Sequence, residues 1–133
     1  MDLYPNKILE HARHPKKFGR IVEPHLTVEE VNPLCGDRIR VELRLGETGQ
    51  VEAVGFSGEM CAIARASASM LFGSLEGTLP AAIIHVSDEE VLKNLGEPIK
   101  NTRLKCALLP LIALRSALQR RHSHPPSSAS TGG

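Results

Sequence analysis

Three cysteines and one aspartate are the side chains best suited to chemistry in this chain of 133 residues. Cys35 and Asp37 lie close together in the segment 32–37, where a proline and a glycine favour a tight turn. Cys61 and Cys106 follow much later, each near the expected start of a helix. Three thiolates and one carboxylate form a ligand set that suits zinc or an iron–sulfur cluster. The residue types therefore predict a four-ligand site, provided that the fold brings them together.

Two of these thiols are predicted to ionise readily. Cys61 and Cys106 are expected at helix N-termini, where aligned backbone dipoles lower the pKa of a thiol. Arg103 and Lys105 flank Cys106 and favour its thiolate as well. The alternative is that three scattered cysteines without a CxxC motif are small buried hydrophobic residues. Spacing alone leaves both interpretations open. The six histidines show no ligand spacing and are interpreted as solvated or capping residues.

A small antiparallel sheet is predicted around the first two of these residues. Apolar and charged residues alternate through residues 38–45, which indicates a half-buried strand. Residues 51–56 return after a Gly-rich turn, and residues 23–31 are a third candidate that Pro24 limits at its start. The arginines of segment 38–45 are interpreted as its solvent-exposed face.

Helices are predicted before and after this sheet along the chain. Their starting points are residue 3, Cys61, a proline at position 80, the capping pair Ser87 and Glu90, and about Leu104. In the last helix, Ala107, Leu111, Leu114 and Leu118 recur on one face, which we expect to be buried. Pro110 is tolerated there if the helix starts close to Cys106. The order of elements predicts an α+β domain.

Composition limits the possible functions of the chain. Hydrophobic residues make up 41% and charged residues 23%, which is typical of a folded globular domain. A net charge of +1 argues against nucleic acid as a partner, and no apolar run is long enough for a membrane span. No export signal is evident, and an odd number of cysteines disfavours a disulfide framework, so we expect a cytoplasmic protein. One domain over residues 1–121 and a disordered tail over residues 122–133 are predicted.

Several motifs occur in a defined order along the chain. They are Ile8-Leu9-Glu10-His11, Asn32-Pro33-Leu34-Cys35-Gly36-Asp37-Arg38, Phe56-Ser57-Gly58-Glu59-Met60-Cys61-Ala62-Ile63, Ala66-Ser67-Ala68-Ser69-Met70 and Arg103-Leu104-Lys105-Cys106. Together they resemble the NifU-like N-terminal family of iron–sulfur assembly proteins, which includes IscU and SufU. The resemblance runs from about Leu3 to Arg121.

This resemblance implies a fold, a site and a function. The fold is a three-stranded antiparallel sheet packed against helices, of the SufE/NifU-like type. The site residues are Cys35, Asp37, Cys61 and Cys106, with Cys35 and Cys106 as the sulfur-accepting pair. Members of the family receive persulfide sulfur from a cysteine desulfurase. One branch builds a transient [2Fe–2S] cluster as a scaffold and delivers it to recipient apoproteins, and this is the main interpretation. The alternative is the zinc-dependent sulfurtransferase branch, which binds Zn²⁺ and relays sulfur without building a cluster.

Features of both branches are present in this sequence. Lys105 occupies the position where the scaffold branch usually has histidine, and the run 66–70 is typical of the zinc branch. The insertion that the zinc branch usually carries between Cys61 and Cys106 is missing, which resembles the scaffold branch. Met60 replaces a glycine that commonly precedes the second cysteine. The sequence therefore leaves the metal, and the choice between scaffold and enzyme, open. A closed structural zinc site is disfavoured because aspartate is unusual among its ligands.

Overall fold

The computed structural model of the chain describes residues 6–96 and 98–123. Within them, one helix precedes three strands, and further helices follow the sheet. The elements are α1 Asn6–Arg13, β1 Leu26–Val31, β2 Arg38–Leu45, β3 Val51–Ser57, α2 Ala62–Phe72, α3 Pro80–Ile84, α4 Asp88–Leu95 and α5 Asn101–Ser123. This is the α+β arrangement that the sequence predicted.

The three strands form one antiparallel sheet in the order β1-β2-β3. Val41 in the central strand pairs with Val28 of β1 and with Phe56 of β3. Ile39, Val41 and Leu43 alternate along β2 and are fully buried in the hydrophobic core. The period of two in the sequence is therefore the period of the side chains that face the core. The prediction of a small three-stranded antiparallel sheet is confirmed.

The opposite face of the sheet is covered in part by residues 17–25, which we call the strap. The strap starts along the outer edge of β3, where Gly19 N donates to Phe56 O and Phe56 N donates to Lys17 O. It then crosses towards β2, where Ile21 N donates to Glu42 Oε1 at 2.9 Å. Because the strap lies over this face, Glu42 is only 1% exposed.

The prediction that the arginines of β2 form a solvent-exposed face is therefore only partly correct. Arg38 is exposed as expected, but Arg40 and Arg44 are partly covered. The alternation of residue types could not show this, since the covering segment comes from before β1. This face is partly covered because the strap folds across it, and of the β2 residues only Glu42 becomes fully buried there.

Helix α2 occupies the centre of the helical layer and packs against α1, α4 and α5. Its Ala-rich sequence lets these neighbours approach closely. The buried hydroxyl of Ser67 donates to the Ala107 carbonyl at 2.6 Å and ties α2 to α5. The capping box at the start of α4 is present as predicted, with Ser87 and Glu90 bonding reciprocally. Gly96 ends that helix in the left-handed conformation.

Helix α5 starts earlier than the sequence predicted. It begins at Asn101 rather than near Leu104, and it continues through Pro110. Pro110 lacks the amide that would bond the Cys106 carbonyl, at a cost of about 3 kcal/mol in a helix interior. Burial of the predicted face offsets that cost, since Ala107, Leu111, Leu114 and Leu118 are at most 1% exposed. Cys106 consequently lies in the second turn and not at the helix start.

The C-terminal prediction lies largely outside the described residues. The backbone of α5 continues to Ser123, so it includes the first residues of the predicted tail. Residues 124–133 are not among the described ones, and the division into a domain of residues 1–121 and a disordered tail stays a prediction. No helix in residues 6–96 and 98–123 is both long and apolar enough to cross a membrane.

Candidate metal centre

The connection between β1 and β2 positions the first cysteine and the aspartate. Its ends are joined where Asn32 N donates to Asp37 O at 2.8 Å, and Gly36 N donates to Asn32 O at 2.7 Å. Gly36 has a φ of +79°, which a residue with a side chain rarely adopts. This tight loop leaves Cys35 exposed, whereas the side chain of Asp37 points inwards and is buried.

The segment before α2 brings the second cysteine to the same place. Gly58 has a φ of +127°, and a Cβ there would lie 2.2 Å from Arg38 O, so glycine permits the close approach of the two backbones. Arg38 N donates to Glu59 O at 2.8 Å, and Cys61 N donates to Asp37 Oδ1 at 3.1 Å. Cys61 is the N-cap residue of α2, which agrees with its predicted position at a helix start.

Met60 does not disturb this turn. It does not have a positive φ, and its side chain packs against both hydrophobic clusters of the core. The conformational demand falls on Gly58, two positions earlier. The glycine expected from the family at position 60 is therefore not needed by the backbone of this chain.

Helix α5 supplies the third cysteine, Cys106, next to the connection between β1 and β2. The sulfur atoms of Cys35 and Cys106 are 3.3 Å apart. Together with an oxygen of Asp37, these sulfurs form a group whose members all lie within 4.8 Å of one another. The thiol of Cys61 borders this group and interacts with both Asp37 and Cys106. The structure thus brings Cys35, Asp37 and Cys106 together with Cys61 at their border, while the roles of all four as ligands stay a prediction.

The electrostatics of the thiols differ from the sequence prediction. Burial raises the pKa of the Cys61 thiol, and this outweighs the lowering by the Ala64 amide at the start of α2. Burial also raises the pKa of Cys106, and the neighbouring Cys35, Cys61 and Asp37 add to that increase. The expectation that helix N-termini make both thiols ionise readily is therefore wrong. Cys106 lies beyond the first turn, where the helix dipole is effective, and two thiolates beside a carboxylate repel one another.

One oxygen atom at this site has no partner. Asp37 Oδ2 is buried and is the buried side-chain polar atom that finds no hydrogen bond among the described residues. Such an atom costs about 1–3 kcal/mol, so natural structures rarely retain one without a function. A divalent cation would satisfy this oxygen and would favour the thiolate form of the cysteines. The residues present therefore fit a thiolate-bound metal.

Sequence reasoning missed one residue of this centre. Asn32 is buried, and its Nδ2 lies 3.9 Å from the Cys106 sulfur. Its position before Pro33 marked it as a turn residue, and nothing in the sequence indicated contact with a cysteine on α5. Only the packing of β1 against α5 shows that the same asparagine reaches both parts of the site.

Comparisons with known proteins agree with this architecture. The family model described as the NifU-like N terminal domain matches residues 3–125. The zinc-dependent sulfurtransferase SufU of Bacillus subtilis is 39% identical over 75 residues, which are 56% of this chain and 50% of that protein. The iron-sulfur cluster assembly scaffold protein IscU of Thermotoga maritima is 31% identical over 134 residues, covering 89% of this chain and 94% of that protein.

A solved structure supports the fold independently. The crystal structure of a nitrogen-fixing NifU-like protein (N-terminal) from Brucella abortus has a TM-score of 0.77, with 20% identity, and covers 90% of this chain and 94% of that one. The chain spans about half the length of the SufU relative and nearly the whole of the IscU relative. The family that the ordered motifs predicted is confirmed, and this chain belongs to the NifU-like N terminal domain family.

Proposed function

We propose that this protein accepts sulfur from a cysteine desulfurase and serves as a scaffold for a transient [2Fe–2S] cluster that it passes to recipient apoproteins. One observation carries the proposal. An exposed sulfur, that of Cys35, lies 3.3 Å from the buried sulfur of Cys106, beside a buried carboxylate oxygen without a partner. The match to the NifU-like family over residues 3–125 supports it.

Sulfur acceptance would start at Cys35, because its side chain is exposed at the loop between β1 and β2. The Cys35 thiolate attacks the outer sulfur of the donor's persulfide, a new S–S bond forms on Cys35, and the donor cysteine leaves as a thiolate. The exposed cations Arg38 and Lys105 are close in sequence to the two sulfur-accepting cysteines. They would favour a desulfurase whose docking surface is acidic.

The cluster is cargo, held by Cys35, Asp37, Cys61 and Cys106. A bound metal keeps the thiols deprotonated and collected in one place. Asp37 would contribute a hard oxygen among soft sulfurs, so its bond would be the one most easily exchanged for another ligand. Replacing Asp37 with alanine is accordingly expected to slow the release of a bound cluster, while all three thiols remain.

A zinc-dependent sulfurtransferase is the alternative function. It is favoured by Lys105, which stands where a scaffold usually has histidine, and by the 39% identity to SufU over 75 residues. In that case the same four residues would hold Zn²⁺, and sulfur would pass through Cys35 without cluster assembly. Metal analysis after anaerobic purification separates the two, since the scaffold contains iron with sulfide and the sulfurtransferase contains tightly bound zinc.

We place the protein in the cytoplasm, without a nucleic-acid or membrane partner. The proposal depends on three free cysteines, which must stay reduced to accept sulfur. The near-neutral net charge of +1 is unlike that of proteins with an extended basic surface for nucleic acid.

Desulfurase turnover tests the acceptance step directly. Wild-type protein is expected to stimulate the desulfurase and to gain sulfur mass, whereas Cys35→Ser and Cys106→Ser abolish the gain. Ser74→Ala is the matched control. Ser74 is exposed and follows the C-terminal end of α2, whereas Cys61 lies at the N-terminal end of that helix. If the wild type neither stimulates the desulfurase nor gains mass, the assembly function is refuted.

Metal retention should depend on pH because thiols must lose their protons to bind. Affinity is expected to fall as the pH is lowered, by up to about tenfold per pH unit for each proton released. Titration with a competing chelator at several pH values measures this. Retention that does not change with pH would show that the thiols are not ligands.

A further inference from the structure

We propose that Asn32 is a positioning residue of the metal centre. The oxygen of its side-chain amide orders the loop that carries Cys35 and Asp37, and the NH₂ group of that amide donates a hydrogen bond to the sulfur of Cys106. This inference rests on the proposed metal-binding function and goes beyond it, because Asn32 offers no ligand to the metal. It identifies a residue that controls how the site holds its metal.

The loop contacts of Asn32 come first. Its Oδ1 accepts from Leu34 N at 3.1 Å, its backbone carbonyl accepts from Gly36 N, and its backbone amide donates to Asp37 O. Three hydrogen bonds from one residue therefore define the turn between β1 and β2. Because Leu34 N is a donor, the amide atom that faces it must be the oxygen. The NH₂ group is thereby directed away from the loop.

That NH₂ group faces helix α5. Its nitrogen lies 3.9 Å from the Cys106 sulfur, and both residues are buried, with Asn32 6% and Cys106 1% exposed. This is a long contact for a neutral thiol, and hydrogen bonds to a charged acceptor are shorter. We expect it to tighten once Cys106 is a metal-bound thiolate.

An N–H donor to a metal-bound sulfur has two physical effects. It fixes the direction of the sulfur lone pairs, and it withdraws electron density from the sulfur. Partners of metal ligands typically change metal affinity by about 10–100-fold when they are replaced. Asn32 also links the Cys35 loop to α5, so it holds in register two parts of the site that come from distant parts of the sequence.

Metal-free full-length protein titrated with Zn²⁺ or Co²⁺ tests this role. Asn32→Ser keeps a short oxygen acceptor for Leu34 N but removes the donor that reaches Cys106. We expect zinc affinity, measured with a competing chelator, to fall by about 10–100-fold. The thiolate-to-Co²⁺ charge-transfer band should also shift to lower energy, because an unbonded sulfur is more electron-rich.

Gly36→Ala is the matched control for loop order. Its Cβ would meet nothing within 4 Å, so the change strains only the backbone at φ +79° and leaves the Asn32 side chain in place. We expect a lower unfolding midpoint without metal and a charge-transfer band at the wild-type energy. A band shift in Gly36→Ala equal to that in Asn32→Ser would refute the donor role, as would wild-type affinity and band energy in Asn32→Ser. If the wild type binds neither ion with thiolates, the proposed function itself fails.

Discussion

Two buried carboxylates at opposite faces of the sheet differ in the number of donors around them. Glu42 accepts hydrogen bonds from Ile21 N and from the Nε atoms of Arg20 and Arg40, at distances of 2.6–3.0 Å. Asp37 accepts one bond, from Cys61 N, and its second oxygen has no partner among the described residues. Both side chains are at most 6% exposed, so burial alone does not distinguish them.

The difference separates a structural carboxylate from a candidate functional one. Burial acts to raise the pKa of Glu42, but the bonds from Ile21, Arg40 and Arg20 outweigh it and leave that pKa below its usual value. Glu42 is thus ionised and fully bonded, and it anchors the strap to the sheet. Asp37 is also buried, but among the described residues it accepts a hydrogen bond only from Cys61 N. The second oxygen of Asp37, which has no hydrogen bond among the described residues, is the atom that a bound cation would satisfy.

Zinc should produce the largest change in the free energy of unfolding, and this change should require the cysteine site around Asp37 but not Glu42. At free zinc 1,000-fold above its dissociation constant, the wild type should gain about 4 kcal/mol in unfolding free energy. Glu42→Gln should gain as much, whereas Cys106→Ser should gain far less. Urea unfolding with and without zinc measures these differences. An equal gain in Cys106→Ser would place the ion elsewhere.

Glu42→Gln should give the next largest effect, in metal-free protein. The change leaves Arg20 and Arg40 without their shared carboxylate, but both arginines retain access to water, so the loss is smaller than for a fully buried ion pair. We expect a loss of about 1.5–3 kcal/mol, the range for hydrogen bonds to a charged group. Urea unfolding measures it, and a loss under about 1 kcal/mol would contradict the anchoring role.

Acid should remove the contribution of the Glu42 charge, and comparison with Glu42→Gln separates it from the effects of the other carboxylates. The folded pKa of Glu42 is below its unfolded value of 4.5, so its stabilisation is complete above pH 4.5 and is lost as the pH falls through the folded value. The gap in unfolding free energy between wild type and Glu42→Gln should therefore narrow in strongly acidic buffer. Denaturant unfolding of both proteins at pH 7 and pH 3 measures this. A gap of constant size would mean that Glu42 does not act through its charge.

Asp37→Asn should have the smallest effect on the metal-free protein. The new amide keeps an oxygen for Cys61 N, and the other oxygen of Asp37 has no hydrogen bond to lose among the described residues, so stability should stay within about 1 kcal/mol of wild type. The same isosteric change at Glu42 serves as its control. Parallel urea unfolding of the two variants sharpens the comparison, and equal losses would show that both carboxylates are structural.

Local patterns predicted β2, β3 and most of the helix ends, whereas β1 starts at Leu26 rather than at residue 23. Alternation through residues 38–45 predicted β2 to the residue, and Ser87 with Glu90 predicted the start of α4, because a strand period and a capping box depend on neighbours in sequence. The start of α5 was predicted too late. Pro110 is unfavourable locally, and the burial that outweighs it comes from α2 and β1.

The sequence by itself determined which residues could bind a metal: Cys35, Asp37, Cys61 and Cys106 follow from their types, their loop and helix contexts, and the family motifs. Their approach to one another was decided by the tertiary structure, since they come from three separate segments that the sheet and α5 bring together. The raised thiol pKa values, the unbonded oxygen of Asp37 and the reach of Asn32 to Cys106 belong to the fold as well. These three properties result from burial and from contacts between distant segments, and no local pattern of residues encodes burial or such contacts.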